Sequence, residues 1–296
     1  MTSRPSRKRV MLGPSRPALR PMPAPGPSSP IGVFDSGVGG LSVLRHLRAL
    51  LPAEDLLYLA DSGHAPYGER PPRWIRARAL ELAEWLMGRG CKAIVVACNT
   101  ATAAAAPTIR ARLALPVIAM EPALKPAAAV TRSGVVGVLA TTGTLESDRF
   151  ASLLDRFGKG IEVVRQPCPG LVEQIERGAL ETPDTRALVE RFVRPLLARG
   201  ADTLVLGCTH YPFVRPLIAA AAGPDVTLLD AGVAVARQVQ ARLSEAGLLS
   251  VTTAPGRDRL LTTGGPEAAA AAERLWPGGG PVEQVEIPGP AVAGRA

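Results

Sequence analysis

Two cysteines stand in matched surroundings. Arg89-Gly90 precedes the apolar run Ala93-Ile94-Val95-Val96-Ala97, which leads into Cys98-Asn99-Thr100. Arg199-Gly200 precedes Thr203-Leu204-Val205-Leu206-Gly207, which leads into Cys208-Thr209-His210. Each thiol lies eight residues after a glycine suited to stopping a helix. Two groups of one kind suit a reaction whose substrate and product are mirror images. One thiolate removes a proton from one face of a carbon, and a thiol opposite donates a proton to the other face. A free thiol titrates near 8.5, so both forms are accessible at working pH. Asp35, expected near Cys98, and His210, two residues after Cys208, are groups that can guide the proton at each sulfur. Glu176 is placed to hold His210 in one orientation.

The elements that must carry these groups read as an α/β pattern. Ile31–Phe34, Leu56–Ala60 and Ala93–Ala97 are short apolar strands, separated by amphipathic helices over 41–51 and about 72–89. The pattern then recurs. Val135–Ala140, Ile161–Val164 and Thr203–Gly207 are strands, with a helix over about 185–199. Strands alternating with helices predict parallel sheets covered on both faces. The first strands of the two sets correspond at an offset of 105 residues and the cysteines at 110, which points to two copies of one unit. Ligands in such sheets bind at the carboxyl ends of the strands, where both cysteines sit. Two copies facing each other would put Cys98 and Cys208 on opposite walls of one cleft. The helix N-terminus after each strand would lower a thiol's pKa and attract carboxylates. The fold class expected is therefore α/β, with two pseudo-symmetric doubly wound domains and the active site in the cleft between them. Residues 31–121 plus 231–287 would form the first domain and 122–230 the second.

Charge is unevenly spread. The net charge is +8, but residues 1–30 carry six basic residues and no acid, which leaves +2 for the rest. The same stretch has eight prolines and no long apolar run, so it reads as a disordered arm. It lacks the apolar segment of a signal peptide, and Met11 and Met22 are alternative starts. No aromatics are interleaved with its charges to stack on bases, which argues against nucleic acid as a partner. No stretch approaches a membrane span. Residues 288–296 read as a flexible tail. The four cysteines match no zinc-binding spacing, and reduced thiols in a cytoplasmic protein are the expectation. Cys91 reads as core packing, and Cys168 is assigned no chemistry.

The motifs together resemble the glutamate racemase family. They are Ile31-Gly32-Val33-Phe34-Asp35-Ser36-Gly37-Val38-Gly39-Gly40-Leu41, Pro66-Tyr67-Gly68, Ala97-Cys98-Asn99-Thr100-Ala101-Thr102-Ala103 and Gly207-Cys208-Thr209-His210-Tyr211-Pro212. Glu121-Pro122-Ala123, Thr141-Thr142-Gly143-Thr144, Cys168-Pro169 leading to Glu176, Asp230-Ala231-Gly232 and Thr262-Thr263-Gly264 support it. The resemblance implies a cofactor-free, metal-free interconversion of L- and D-glutamate that supplies peptidoglycan synthesis in the cytoplasm, by a homodimer. Cys98 with Asp35 would act on D-glutamate; Cys208 with His210, and Glu176 behind it, would act on L-glutamate. Asp35, Ser36, Tyr67, Gly68, Asn99, Thr100, Thr141, Thr144, Thr209 and His210 would hold the substrate. The chain departs from the family at Asp61-Ser62-Gly63-His64-Ala65, where many members have Asp-Thr or Asp-Asn and an Arg. His64 reads as an exposed loop residue.

Other readings have sequence-level discriminators. A pyridoxal-phosphate racemase needs a Schiff-base lysine, and Lys8, Lys92, Lys125 and Lys159 lie in no phosphate-binding context. Gly37-x-Gly39-Gly40 lacks the full dinucleotide spacing, and Asp35 would repel phosphate. A related aspartate or hydantoin racemase would keep both cysteines, whereas a decarboxylase would not need both. A binding or inhibitory protein of the same fold, including one that acts on DNA gyrase, would not need the acid–base groups to be intact.

Overall fold

The computed structural model describes residues 25–289. Residues 1–24 of the expected arm and 290–296 of the expected tail lie outside the described residues. Structure begins earlier than the sequence pattern indicates. Gly26–Ser29 form a turn, and the buried Lys92 donates from Nζ to the Pro27 carbonyl at 2.5 Å. Lys92 also pairs with buried Glu54 at 2.5 Å.

The first half runs β1 (Ile31–Asp35), α1 (Leu41–Leu50), β2 (Leu56–Ala60), α2 (Pro72–Met87), β3 (Ala93–Val96), α3 (Asn99–Arg112), β4 (Val117–Ala119) and α4 (Leu124–Val130). The second runs β5 (Val135–Ala140), α5 (Thr142–Leu145), α6 (Asp148–Phe157), β6 (Glu162–Pro167), α7 (Leu171–Glu176), α8 (Pro183–Ala198), β7 (Thr203–Leu206), α9 (Arg215–Ala222) and β8 (Thr227–Leu229). The chain closes with α10 (Gly232–Glu245), β9 (Asp258–Thr262), α11 (Pro266–Leu275) and β10 (Glu283–Gln284).

These strands form two parallel sheets, ordered β10-β9-β2-β1-β3-β4 and β6-β5-β7-β8. The core order β2-β1-β3-β4 is repeated as β6-β5-β7-β8. The first sheet gains β9 and β10 from the end of the chain, so the two lobes differ by that extension. Register aligns β1 with β3 through Val33–Val95, and β5 with β7 through Val138–Val205. The strands β4, β8, β9 and β10 are too short or too mixed in composition to stand out in the sequence.

The central strands are buried on both faces because helices cover both. In the first lobe Val33, Tyr58 and Val95 face α1, α10 and α11, while Phe34, Leu59 and Val96 face α2 and α3. In the second, Leu139, Leu204 and Leu206 face α7 and α8, while Val136, Val138 and Val205 face α4 and α6. The α1 side and the α7–α8 side belong to one continuous apolar cluster, so the lobes share a core beneath the cleft. Gly90 and Gly200 end the helices before the cysteine strands at φ +80° and +82°, a conformation that only glycine adopts without steric cost. That shared turn sets the registers that deliver Cys98 and Cys208 to equivalent strand ends. Among the described residues, no helix is long and apolar enough to cross a membrane.

Candidate active site

One narrow pocket between the lobes is lined by both Cys98 and Cys208. Ser36, Tyr67, Gly68, Asn99, Thr100, Thr141, Thr209 and His210 line it too, together with Pro66, Val172 and Gly207. Its free space is about 10 Å³, on the scale of a single water. Asp35, Glu176 and Thr144 lie behind this lining and touch it through hydrogen bonds.

Cys98 is the residue before the first turn of α3, and its sulfur accepts from the Ala101 N–H at 3.4 Å. It lies 3.7 Å from the Ser36 hydroxyl. Asp35, at the end of β1, is fully buried. Its Oδ1 accepts from the Ser36 N–H at 2.7 Å, and its Oδ2 accepts from the Thr209 hydroxyl of the other lobe at 3.1 Å. Burial raises the Asp35 pKa, against the pull of His210. Burial also pushes the Cys98 thiol well up, and the Asp35 charge adds to this. The helix N-terminus expected to lower this thiol is present, but desolvation outweighs it.

Cys208 follows β7, with its sulfur 3.6 Å from His210 Nδ1. His210 Nε2 lies 2.5 Å from Glu176 Oε1. Burial alone would lower the His210 pKa, but Cys208 and Glu176 override it and hold the ring's pKa well above its ordinary value. Burial opposes ionisation of Glu176, and His210, the Val38 N–H and the Ser62 hydroxyl together bring its pKa below the usual range. Cys98 thus has a carboxyl partner, and Cys208 an imidazolium backed by a carboxylate.

The glycines after β1 serve this contact. A Cβ on Gly37 would stand 1.9 Å from Glu176 Oε1, and one on Gly39 would stand 2.3 Å from His210 Nδ1. Their role is close approach of the opposite lobe.

On the substrate side, Thr100, Thr141 and Thr144 bring three hydroxyls within 2.9–3.2 Å of one another across the cleft. Neither polar atom of the buried Asn99 amide has a hydrogen-bond partner, which suits a ligand-binding group. Tyr67 donates to Asp61 Oδ2 at 2.5 Å. Asp61 is in turn gripped by buried Arg78 through two bonds of 2.6 and 2.8 Å and by Thr263 at 2.8 Å. Arg78 also donates to the Ile287 and Pro288 carbonyls, so the end of the chain braces the tyrosine loop. Asp61, Ser62, Arg78 and Thr263 are absent from the sequence-based site. Asp61 had a signal, since it closes β2 as Asp35 closes β1, and Thr263 lies in the Thr262-Thr263-Gly264 motif; Arg78 had none. His64 is half-buried rather than exposed, with Nδ1 3.2 Å from Asp61.

The cysteines outside the pair are buried. Cys91 packs beneath Gly32, and burial pushes its thiol up to about 12. Among the described residues no group of three or more His, Cys, Asp or Glu is arranged to hold a metal ion.

The sequence profile of the Asp/Glu/hydantoin racemase family matches residues 31–239. A glutamate racemase from Methylococcus capsulatus is 58% identical over 254 residues, covering 86% of this chain and 94% of that protein. The crystal structure of glutamate racemase isoform RacE1 from Bacillus anthracis superposes with a TM-score of 0.79 at 34% identity, over 88% of this chain and 98% of that one. The Escherichia coli glutamate racemase, solved with L-glutamate and the activator UDP-MurNAc-ala, gives 0.78 at 30% identity, over 88% and 100%. With two thiols on one interlobe pocket and likeness along nearly the whole of these relatives, this chain belongs to the Asp/Glu/hydantoin racemase family.

Proposed function

We propose that this chain is a glutamate racemase that moves the α-proton between two cysteines, Cys98 serving D-glutamate and Cys208 serving L-glutamate. The observation that carries this is the convergence of both thiols, each with its own proton partner, on one narrow pocket with room for about one water. The relatives named above support glutamate as the substrate.

In the D-to-L direction, Cys98 passes its proton toward Asp35 and, as thiolate, takes the α-proton. Cys208 gives a proton to the opposite face of the carbanion, and His210, held by Glu176, supports the thiolate that forms. The reverse direction exchanges the roles. The substrate ammonium brings positive charge beside the buried Asp35–Cys98 pair, which offsets the desolvation that keeps that thiol protonated. Asn99, Thr100, Thr141, Thr144, Ser36, Tyr67, Gly68 and Thr209 would bind the carboxylates and ammonium. Because the pocket holds about one water, the lobes built from 31–121 with 231–287 and from 122–230 would part to admit an amino acid. The rest of the proposal rests on the family: a homodimer, acting in the cytoplasm, that supplies D-glutamate to peptidoglycan synthesis.

The test is circular dichroism of pure L-glutamate or L-aspartate after mixing with the protein without added cofactor. Decay of the glutamate signal to zero is expected. Decay with aspartate alone would move the assignment to a neighbouring racemase, and decay with neither would overturn it.

A further inference from the structure

Glu176 is the last residue of α7 in the second lobe, yet two of its three hydrogen bonds come from the first. Its Oε1 accepts from the Val38 N–H at 2.7 Å as well as meeting His210 Nε2, and its Oε2 accepts from the Ser62 hydroxyl at 3.1 Å. The Val38 N–H is held in place because Tyr58 donates to the adjacent Gly37 carbonyl at 2.6 Å. Ser62 sits just past β2 and, with Glu176, lines an open cleft of about 460 Å³.

We infer that Ser62 is a positioning residue for the Cys208 face: by donating across the cleft to Glu176 it makes the Glu176–His210 proton partnership depend on the lobes being shut. This rests on the racemase assignment above. The physical reason is that both donors to Glu176 from the first lobe must withdraw when the lobes part. An open site therefore leaves the carboxylate less well solvated by the protein, and His210 less firmly charged. Closure restores both bonds, so Cys208 is matched to a charged His210 only around an enclosed substrate. Ser62 is among the groups that lower the Glu176 pKa, after burial, which raises it, and His210 and Val38, which lower it. Asp35 and Tyr58 also face Glu176 inside the site. Glu173, Arg177, Glu267 and Arg274 line the open cleft beside it, and Cys208 lies beyond His210. A change at Ser62 leaves all of these in place.

The test compares Ser62→Ala, Ser62→Thr and Ser62→Val with wild type, measuring kcat/KM for L- and D-glutamate across pH. Threonine keeps the hydroxyl, and valine keeps threonine's shape without it. Ser62→Ala and Ser62→Val should lower kcat/KM at neutral pH roughly 3- to 10-fold, as expected for one lost hydrogen bond of ordinary strength. The acid limb of the profile should move up by roughly 0.5–1 pH unit, because a carboxylate with one donor fewer takes up its proton sooner. Ser62→Thr should restore both. The loss in kcat/KM must be equal in the two directions, since enantiomers have an equilibrium constant of one. An unmoved acid limb in Ser62→Ala, or equal behaviour of the valine and threonine variants, overturns the role given to Ser62. Wild type without glutamate turnover overturns instead the racemase assignment, and this one with it.

Discussion

The two lobes repeat one strand order, yet their thiols keep different company. Cys98 shares its surroundings with Asp35, and burial raises the pKa of both groups, so this side holds a proton. Cys208 faces His210, whose raised pKa and lowered partner Glu176 describe a separated charge pair. A duplicated fold has thus produced one face poised as an acid and another poised around a cation. The contrast teaches that pseudo-symmetry fixes where the reacting atoms stand, while their protonation is set by the nearest one or two side chains. The lobes are also cross-linked reciprocally. Asp35 accepts from Thr209 of the second lobe, and Glu176 accepts from Val38 and Ser62 of the first.

The strongest way to break the comparison is to remove either sulfur. If both faces are needed, Cys98→Ala and Cys208→Ala should each lower racemisation by about 10²–10⁴-fold, the range for general acid–base groups. Near wild-type turnover by either variant, followed by circular dichroism, would end the two-base scheme.

A smaller loss should come from keeping the lobes apart. Gly37→Ala places a methyl 1.9 Å from Glu176 Oε1. The lobes must yield, and a misplacement of that order costs about 100-fold. The expected result is a loss of kcat/KM at both enantiomers with the thermal midpoint little changed. A fully active Gly37→Ala would show that the contact between α7 and the β1 loop is not needed for turnover.

The finest test reads the opposite signs of the two carboxylates through stability. The lowered Glu176 contributes above its ordinary value of 4.5, and that contribution is lost as pH falls through the depressed value. The raised His210 contributes fully below its ordinary 6.5, and that is lost as pH rises through the elevated value. Glu176→Gln should therefore be destabilised most between pH 4.5 and 6.5, by about 2 kcal/mol in urea unfolding. Asp35 has the reverse sign. Its raised pKa favours the fold below the ordinary 3.8, and that is lost as pH rises through the elevated value. Asp35→Asn should therefore gain relative to wild type as pH rises. Parallel pH dependence of the two variants would erase the distinction between the faces.

Much of this was legible in the chain itself. The buried strands β1, β2, β3, β5 and β7 are continuous apolar runs, so local pattern identifies them. The pairing of Cys98 with Cys208 came from repeated context, because like strand–turn units deliver like positions to strand ends. His210 and Glu176 are marked by their motifs in the sequence, and they stand 2.5 Å apart. Gly37 and Gly39 stand in the sequence as part of the family motif and as an incomplete phosphate-loop pattern, neither of which says what they are for. Their use is to admit side chains from residues 176 and 210, and no local signal encodes that. The same holds for Arg78, which reaches Asp61 over 17 residues of chain, and for the contact that Thr263 makes with Asp61 over 202.

The sequence by itself determined the strands, the helix stops and which titratable groups end those strands, because these follow from hydrophobic period, glycine conformation and side-chain chemistry. The tertiary structure alone decided that burial raises the Asp35 and Cys98 pKa values while Cys208 and Glu176 raise that of His210. It also decided that Ser62 reaches Glu176 and that the closing segment braces Tyr67. Those outcomes depend on desolvation and on contacts between distant segments, which exist only once the two sheets are packed face to face.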